Sequence, residues 1–117
     1  MAARGRVTDP LDNWTTQLRK GVLELAVLSA LVDEQRYGYD LVKSLVAIPG
    51  LGVTEGTLYP LLSRLRTSGL VDARLEESPA GPARKYYRLT REGRRVLQLM
   101  DEHLLAVLDG IRDLRDS

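Results

Sequence analysis

The residues best suited to do chemistry in this 117-residue chain lie in T-E-G-T-L-Y-P-L-L-S-R-L-R-T, residues 54–67. On a helix turning about 100° per residue, Thr54, Leu58, Leu61, Leu62 and Leu65 share one side. Gly56, Pro60, Ser63 and Thr67 share the opposite side, flanked by Tyr59 and Arg64. That outer stripe carries hydroxyls at Thr57 and Tyr59. Arg64 adds a guanidinium fork of the kind that takes a phosphate or a guanine edge. Gly56 permits close approach of another backbone, and the Pro60 ring is a flat apolar contact for a group such as a thymine methyl. Both residue types weaken helices, by about 1 kcal/mol for Gly and about 3 for an interior Pro. Proline at 60 removes the bond to the Gly56 carbonyl, so both costs fall on one turn. A surface helix without a task at that stripe would carry better helix formers. The spacing predicts a helix starting at Thr54 and running through Pro60 without a break.

A second group is cationic. Between Pro82 and Arg95 stand Arg84, Lys85, Arg88, Arg91, Arg94 and Arg95, with Glu92 the one acid. From Asp101 to Ser117 there are five acids against Arg112 and Arg115. The net charge is only +1, so it is this local asymmetry that suggests an anion-binding face. Other chemistries lack their residues. With no cysteine there is no disulfide or thiolate metal site. His103 is the single histidine, with no partners to make a metal or nucleophile site. Gly50, Gly52 and Gly56 lack the dinucleotide-binding spacing. Neither catalytic residues, nor a cofactor, nor a metal is expected. No stretch reaches the length of a membrane span and the N-terminus has no apolar signal region, so a cytoplasmic protein is expected.

The elements that must position these groups follow from periodicity. Residues 1–8 read as a flexible tail. Asp9-Pro10 reads as a helix start, and apolar residues then recur from Trp14 to Val32 through Leu18, Val22, Leu25, Leu28 and Leu31. Asp33–Arg36 reads as a polar connection. A short helix follows from Tyr37-Gly38-Tyr39-Asp40 to before Pro49-Gly50. Thr54 can cap a third helix, and Gly69-Leu70 can end it. Residues 71–77 and 84–90 read as a hairpin with a long tip. Thr90 can then cap a last helix reaching about Leu114. The fold class is mainly α with a small β-hairpin: a winged helix-turn-helix over 9–90, with a two-stranded wing, and a C-terminal dimerisation helix over 91–117.

"K-G-V-L-E-L-A-V-L" (20–28), "Y-G-Y-D-L" (37–41), "G-T-L-Y-P-L-L-S-R-L" (56–65), "S-G-L-V" (68–71) and "G-P-A-R-K-Y-Y-R-L-T-R-E-G" (81–93) resemble the PadR family of bacterial transcriptional regulators. The resemblance runs from about Leu18 to Ile111, and the short C-terminal region is similar to the small subfamily ending in one long helix. It implies a homodimeric repressor on a palindromic double-stranded DNA operator, often released by a small molecule. It implies that the 54–67 helix enters the major groove, with Thr54, Thr57, Tyr59 and Pro60 in its groove-facing part. Tyr39 and Lys43 match a helix near phosphates, and Arg84 and Lys85 match the wing. Relatives that respond to drugs carry an aromatic residue at about position 104; here it is Leu104, and Trp14 is the aromatic group that could serve instead.

Independently of that resemblance, residues 93–114 carry more apolar surface than one small domain needs. Leu97, Met100, Leu104, Val107, Leu108, Ile111 and Leu114 form one stripe, widened by Leu99 and Leu105. This predicts a dimer through the last helix and the first, with Trp14 and Leu18 contributing. A small hydrophobic or aromatic effector could sit among Trp14, Leu18, Met100, His103 and Val107; for any one of them packed core is the favoured reading. The alternative function is a winged-helix module for protein–protein contact without a DNA role, against which the basic wing argues.

Overall fold

The computed structural model describes residues 10–116, so the expected tail over 1–8 and the Asp9 cap lie outside the described residues. In chain order the elements are α1 (Pro10–Ala30), β1 (Arg36–Tyr37), α2 (Gly38–Val46), α3 (Glu55–Thr67), β2 (Val71–Glu76), β3 (Arg84–Leu89) and α4 (Arg91–Arg115). The strands form one antiparallel sheet in the order β1-β3-β2. The hairpin register runs from Val71 opposite Leu89 to Glu76 opposite Arg84. The sheet has one strand more than expected. β1 occupies part of the segment read as a polar connection, and its two residues are too few to show a period of two.

The core is built of leucine and valine. Leu28, Leu31, Leu41, Leu45, Leu58, Leu62 and Leu65 are fully buried, with Val27, Val42 and Val71. Apart from Leu31, just past the end of α1, and Val71 of β2, they come from one face each of α1, α2 and α3, closed by Tyr87 and Leu89 of β3 and by Leu97 of α4. Leu97 was expected at a dimer interface. It is only 7% exposed, because the first turns of α4 lie on the body, and it serves the chain's own core instead. Beyond Asp101 the same helix leaves the body, and only Leu104 there is half-buried.

Local chemistry sets the ends of α3 and α4. Gly69 adopts φ 80°, its N–H donates to the Arg66 carbonyl at 3.0 Å, and the Leu70 N–H donates to the Leu65 carbonyl at 3.0 Å. This pair of bonds closes the helix with its last carbonyls satisfied. Thr90 caps α4: its Oγ1 accepts from the Gly93 N–H at 2.9 Å and donates to the Gly69 carbonyl at 2.7 Å. The Thr90 N–H donates to the Leu70 carbonyl at 3.1 Å. The end of α3 and the start of α4 are therefore tied through four residues. Gly93 is buried there, because a Cβ would fall on the Leu70 carbonyl oxygen and 2.7 Å from a Leu89 methyl. In the first turn of α4, Arg95 donates twice to the Glu92 carboxylate, both bonds 2.8 Å, which lowers the Glu92 pKa.

Candidate nucleic-acid interface

The leucine side of α3 is seated as the periodicity requires: Leu58, Leu61, Leu62 and Leu65 are buried. Glu55, Gly56, Thr57, Tyr59, Pro60, Ser63, Arg64 and Thr67 are exposed. The helix begins at Glu55, one residue later than expected, with Thr54 at the N-cap position. Pro60 thus lies in the second turn of a continuous helix, where its missing N–H costs a bond that the chain would otherwise make. Two details differ from the helical wheel. Thr54 is exposed, and Val53 is the residue buried beside it. The Thr54 hydroxyl makes no capping bond; its Oγ1 lies 3.3 Å from Thr57 Oγ1 instead. This leaves two hydroxyls side by side at the exposed helix start, where unpaired N–H groups and the helix dipole favour an anion.

A Cβ added at Gly56 would meet nothing closer than Thr54 Oγ1 at 3.9 Å. The fold therefore does not require glycine at this position. Beside Pro60 a groove of about 360 Å³ separates α3 from α1, lined by Lys20, Leu23, Glu24, Thr57, Pro60 and Arg64 among others. Arg64 reaches across it to Glu24 at 3.7 Å, with both side chains well exposed.

The second part of the surface joins α2 to the wing. Tyr37 pairs with Tyr86 across β1 and β3, and their ring centres are 5.8 Å apart. Tyr39 is the second residue of α2, its ring 6.1 Å from Tyr37. The Arg84 guanidinium lies 4.8 Å over the Tyr37 ring, and Lys43 Nζ lies 5.3 Å over Tyr39. Tyr39, Lys43 and Arg84 are thus brought together. Lys85 is not, because alternation along β3 sends it to the opposite face from Arg84, where Tyr87 and Leu89 face the core. Buried Tyr87 forms the floor here, and burial pushes its hydroxyl pKa up against the opposing charge of Arg66. Gly38 lets α2 start directly on that floor: a Cβ would be 2.9 Å from Tyr87 Cε1.

Sequence reasoning missed Tyr37, Tyr86 and Lys20 as members of this surface. The alternation in β3 already places Tyr86 on the same face as Arg84. Nothing in the sequence pattern places Tyr37 against them, because that requires β1.

The residues expected to hold an effector are split. Met100, His103 and Val107 line a groove of about 480 Å³ between α1 and α4, with Val22 and Leu25 opposite. Trp14 and Leu18 do not line it and are exposed nearer the N-terminal end of α1. Among the described residues no group of three His, Asp or Glu could hold a metal ion. Nor is any helix among them long and apolar enough to cross a membrane.

Comparison with known proteins agrees with this fold. The family described as "Transcriptional regulator PadR-like family" matches residues 27–99. A PadR family transcriptional regulator from Eggerthella lenta has a structure similar to this chain, with TM-score 0.78 and 39% identity over 91% of this chain and 92% of that one. A PadR-like transcriptional regulator from Bacillus cereus is similar with TM-score 0.75 and 35% identity, over 86% of this chain and 98% of that one. An uncharacterized protein of Lysinibacillus sphaericus is 29% identical over 80 residues, covering 67% of this chain and 73% of its own length.

Proposed function

The chain belongs to the PadR-like family of transcriptional regulators, which are not enzymes, and from that we propose a homodimeric repressor that binds a palindromic operator. In this reading α3 enters the major groove. Thr54, Gly56, Thr57, Tyr59, Pro60, Ser63 and Arg64 lie at or near base edges, while Tyr39, Lys43 and Arg84 lie along the sugar-phosphate backbone; Lys85, on the opposite face of β3, is left out of this contact. The observation that carries the reading is the outer face of α3. It holds a glycine that its own fold does not need and a proline that costs a helix bond, both pointing to solvent. Those choices suit a helix pressed against another molecule. The dimer forms through Trp14, Leu18, Met100, Leu104, Val107, Leu108 and Ile111, and presents two copies of α3 to half-sites about 34–36 Å apart or a related spacing. The groove between α1 and α4 is the place for a small apolar effector, with Met100, His103 and Val107 on its wall. A regulator of this kind works in the cytoplasm, where its DNA is.

Genomic footprinting with the purified protein should recover a palindromic site. On that site Tyr59→Ala is expected to weaken operator binding more than binding to random DNA. Arg84→Ala should weaken both and reduce the slope of log Kd against log salt by about 1. Wild-type affinity in both variants would remove these residues from the interface. The absence of any salt-dependent DNA binding by the wild-type protein would favour a role in protein–protein contact.

A further inference from the structure

We propose that Tyr37 is a positioning residue for DNA-backbone binding: its ring holds the wing cation Arg84 in place before DNA arrives. The proposal rests on the DNA-binding reading above and assigns Tyr37 a role exerted through Arg84 and not through a contact of its own with DNA. Tyr37 is the hub of the cluster. Its ring neighbours Tyr86 at 5.8 Å, Tyr39 at 6.1 Å and the Arg84 guanidinium at 4.8 Å. Tyr39 in turn carries Lys43 at 5.3 Å. The tilted ring series Tyr86–Tyr37–Tyr39 therefore joins a cation at the start of β3 to a cation on α2.

The chemistry favours this use over a merely structural one. An arginine stacked on a ring uses the face of its guanidinium, so its in-plane N–H donors stay available for a phosphate. An exposed arginine that is not held must be ordered when it binds, and that cost comes off the affinity. Arg84 also escapes neutralisation. Glu76 stands directly opposite it in the hairpin register, yet the Glu76 carboxylate is engaged by Arg74 at 3.0 Å and by Gln35 Nε2 at 2.9 Å. Among the described residues Arg84 makes no ion pair. Its partner is a ring, which leaves its full charge directed outward. Tyr37 is itself fixed from below, since Gly38 packs on Tyr87 and β1 pairs with β3.

The test uses the full-length protein with a random-sequence duplex and with the operator. Tyr37→Ile keeps strand propensity but removes the ring, and should weaken binding to both DNAs by about two- to five-fold. Tyr37→Phe keeps the ring and should bind within error of wild type. In an Arg84→Ala background Tyr37→Ile should cost nothing further. An equal loss in both backgrounds would overturn the proposal, because it would mean that Tyr37 acts through the fold and not through Arg84. A readout without DNA keeps the proposal testable if Tyr37→Ile does not fold. In the free wild-type protein the ring current of Tyr37 should shift the Arg84 side-chain proton resonances upfield. Arg84 resonances at their random-coil positions would overturn the proposal even if DNA binding is sound. A wild-type protein with shifted Arg84 resonances and no affinity for DNA would instead overturn the reading on which the proposal rests, and with it the role of Tyr37.

Discussion

Gly93 shows how much of the architecture turns on single atoms. It sits in the first turn of α4 against the Leu70 carbonyl and a Leu89 methyl, with its N–H held by Thr90. A methyl group there must displace backbone, not a flexible side-chain end. Gly93→Ala is therefore expected to destabilise the fold by about 2–3 kcal/mol, read as a lowered urea midpoint at fixed protein concentration. An unchanged midpoint would mean that the junction yields easily. The sequence pattern marked Thr90 as a cap but gave no sign of this contact, because the Leu70 carbonyl lies more than twenty residues away along the chain. Tyr37 is a similar case. Its type was visible, while its neighbours depend on a strand of two residues.

At the scale of elements, periodicity was a good guide wherever an element was long. The four leucines of α3, the Gly69 stop and the extent of α4 all follow from apolar spacing and caps. The hairpin matched to within a residue at each outer end. What periodicity could not supply was the share of each apolar face taken by the chain's own core. Leu97 and Leu108 look alike in the stripe of α4, yet one is buried and the other exposed. α3 itself provides a sharper test of its outer face. A Cβ at Gly56 meets no neighbour, so Gly56→Ala should stabilise the protein by up to about 1 kcal/mol through helix propensity alone. The same variant should lose operator affinity, since the added methyl would occupy the space needed for close approach. Melting temperature and operator Kd, measured together, should move in opposite senses. A stabilised variant with full affinity would separate Gly56 from the contact surface.

For the whole molecule the extents are 55 × 39 × 21 Å and the radius of gyration is 17.6 Å, well above the roughly 13 Å of a compact 100-residue domain. The excess comes from helix ends that leave the body. Leu11, Trp14 and Leu18 on α1 are exposed, as are Leu105, Val107, Leu108, Ile111 and Leu114 on α4. Fully burying side chains of this size is worth about 1.5–3 kcal/mol each, which makes a second copy of the chain the natural cover for this surface. Ile111→Asp is expected to turn a dimer into a monomer by sedimentation velocity. Its operator affinity should fall by about tenfold or more, because the two copies of α3 would no longer be linked. A wild-type protein that sediments as a monomer at micromolar concentration would refute the dimer.

The junction of Gly69, Leu70, Thr90 and Gly93 has a mechanical consequence. With a rise of 1.5 Å per residue, α4 is about 37 Å long, and its fixed point is near one end. Held by the Gly93 junction and by buried Leu97, it can act as a lever joined at that end to α3. A tilt of about 5° at that junction carries the far end of α4 about 3 Å sideways. In the proposed dimer, a displacement of that size between the free ends of two such levers would reach the two copies of α3 as a small change of angle. With no room for even a methyl group at Gly93, the start of α4 and the end of α3 would move together.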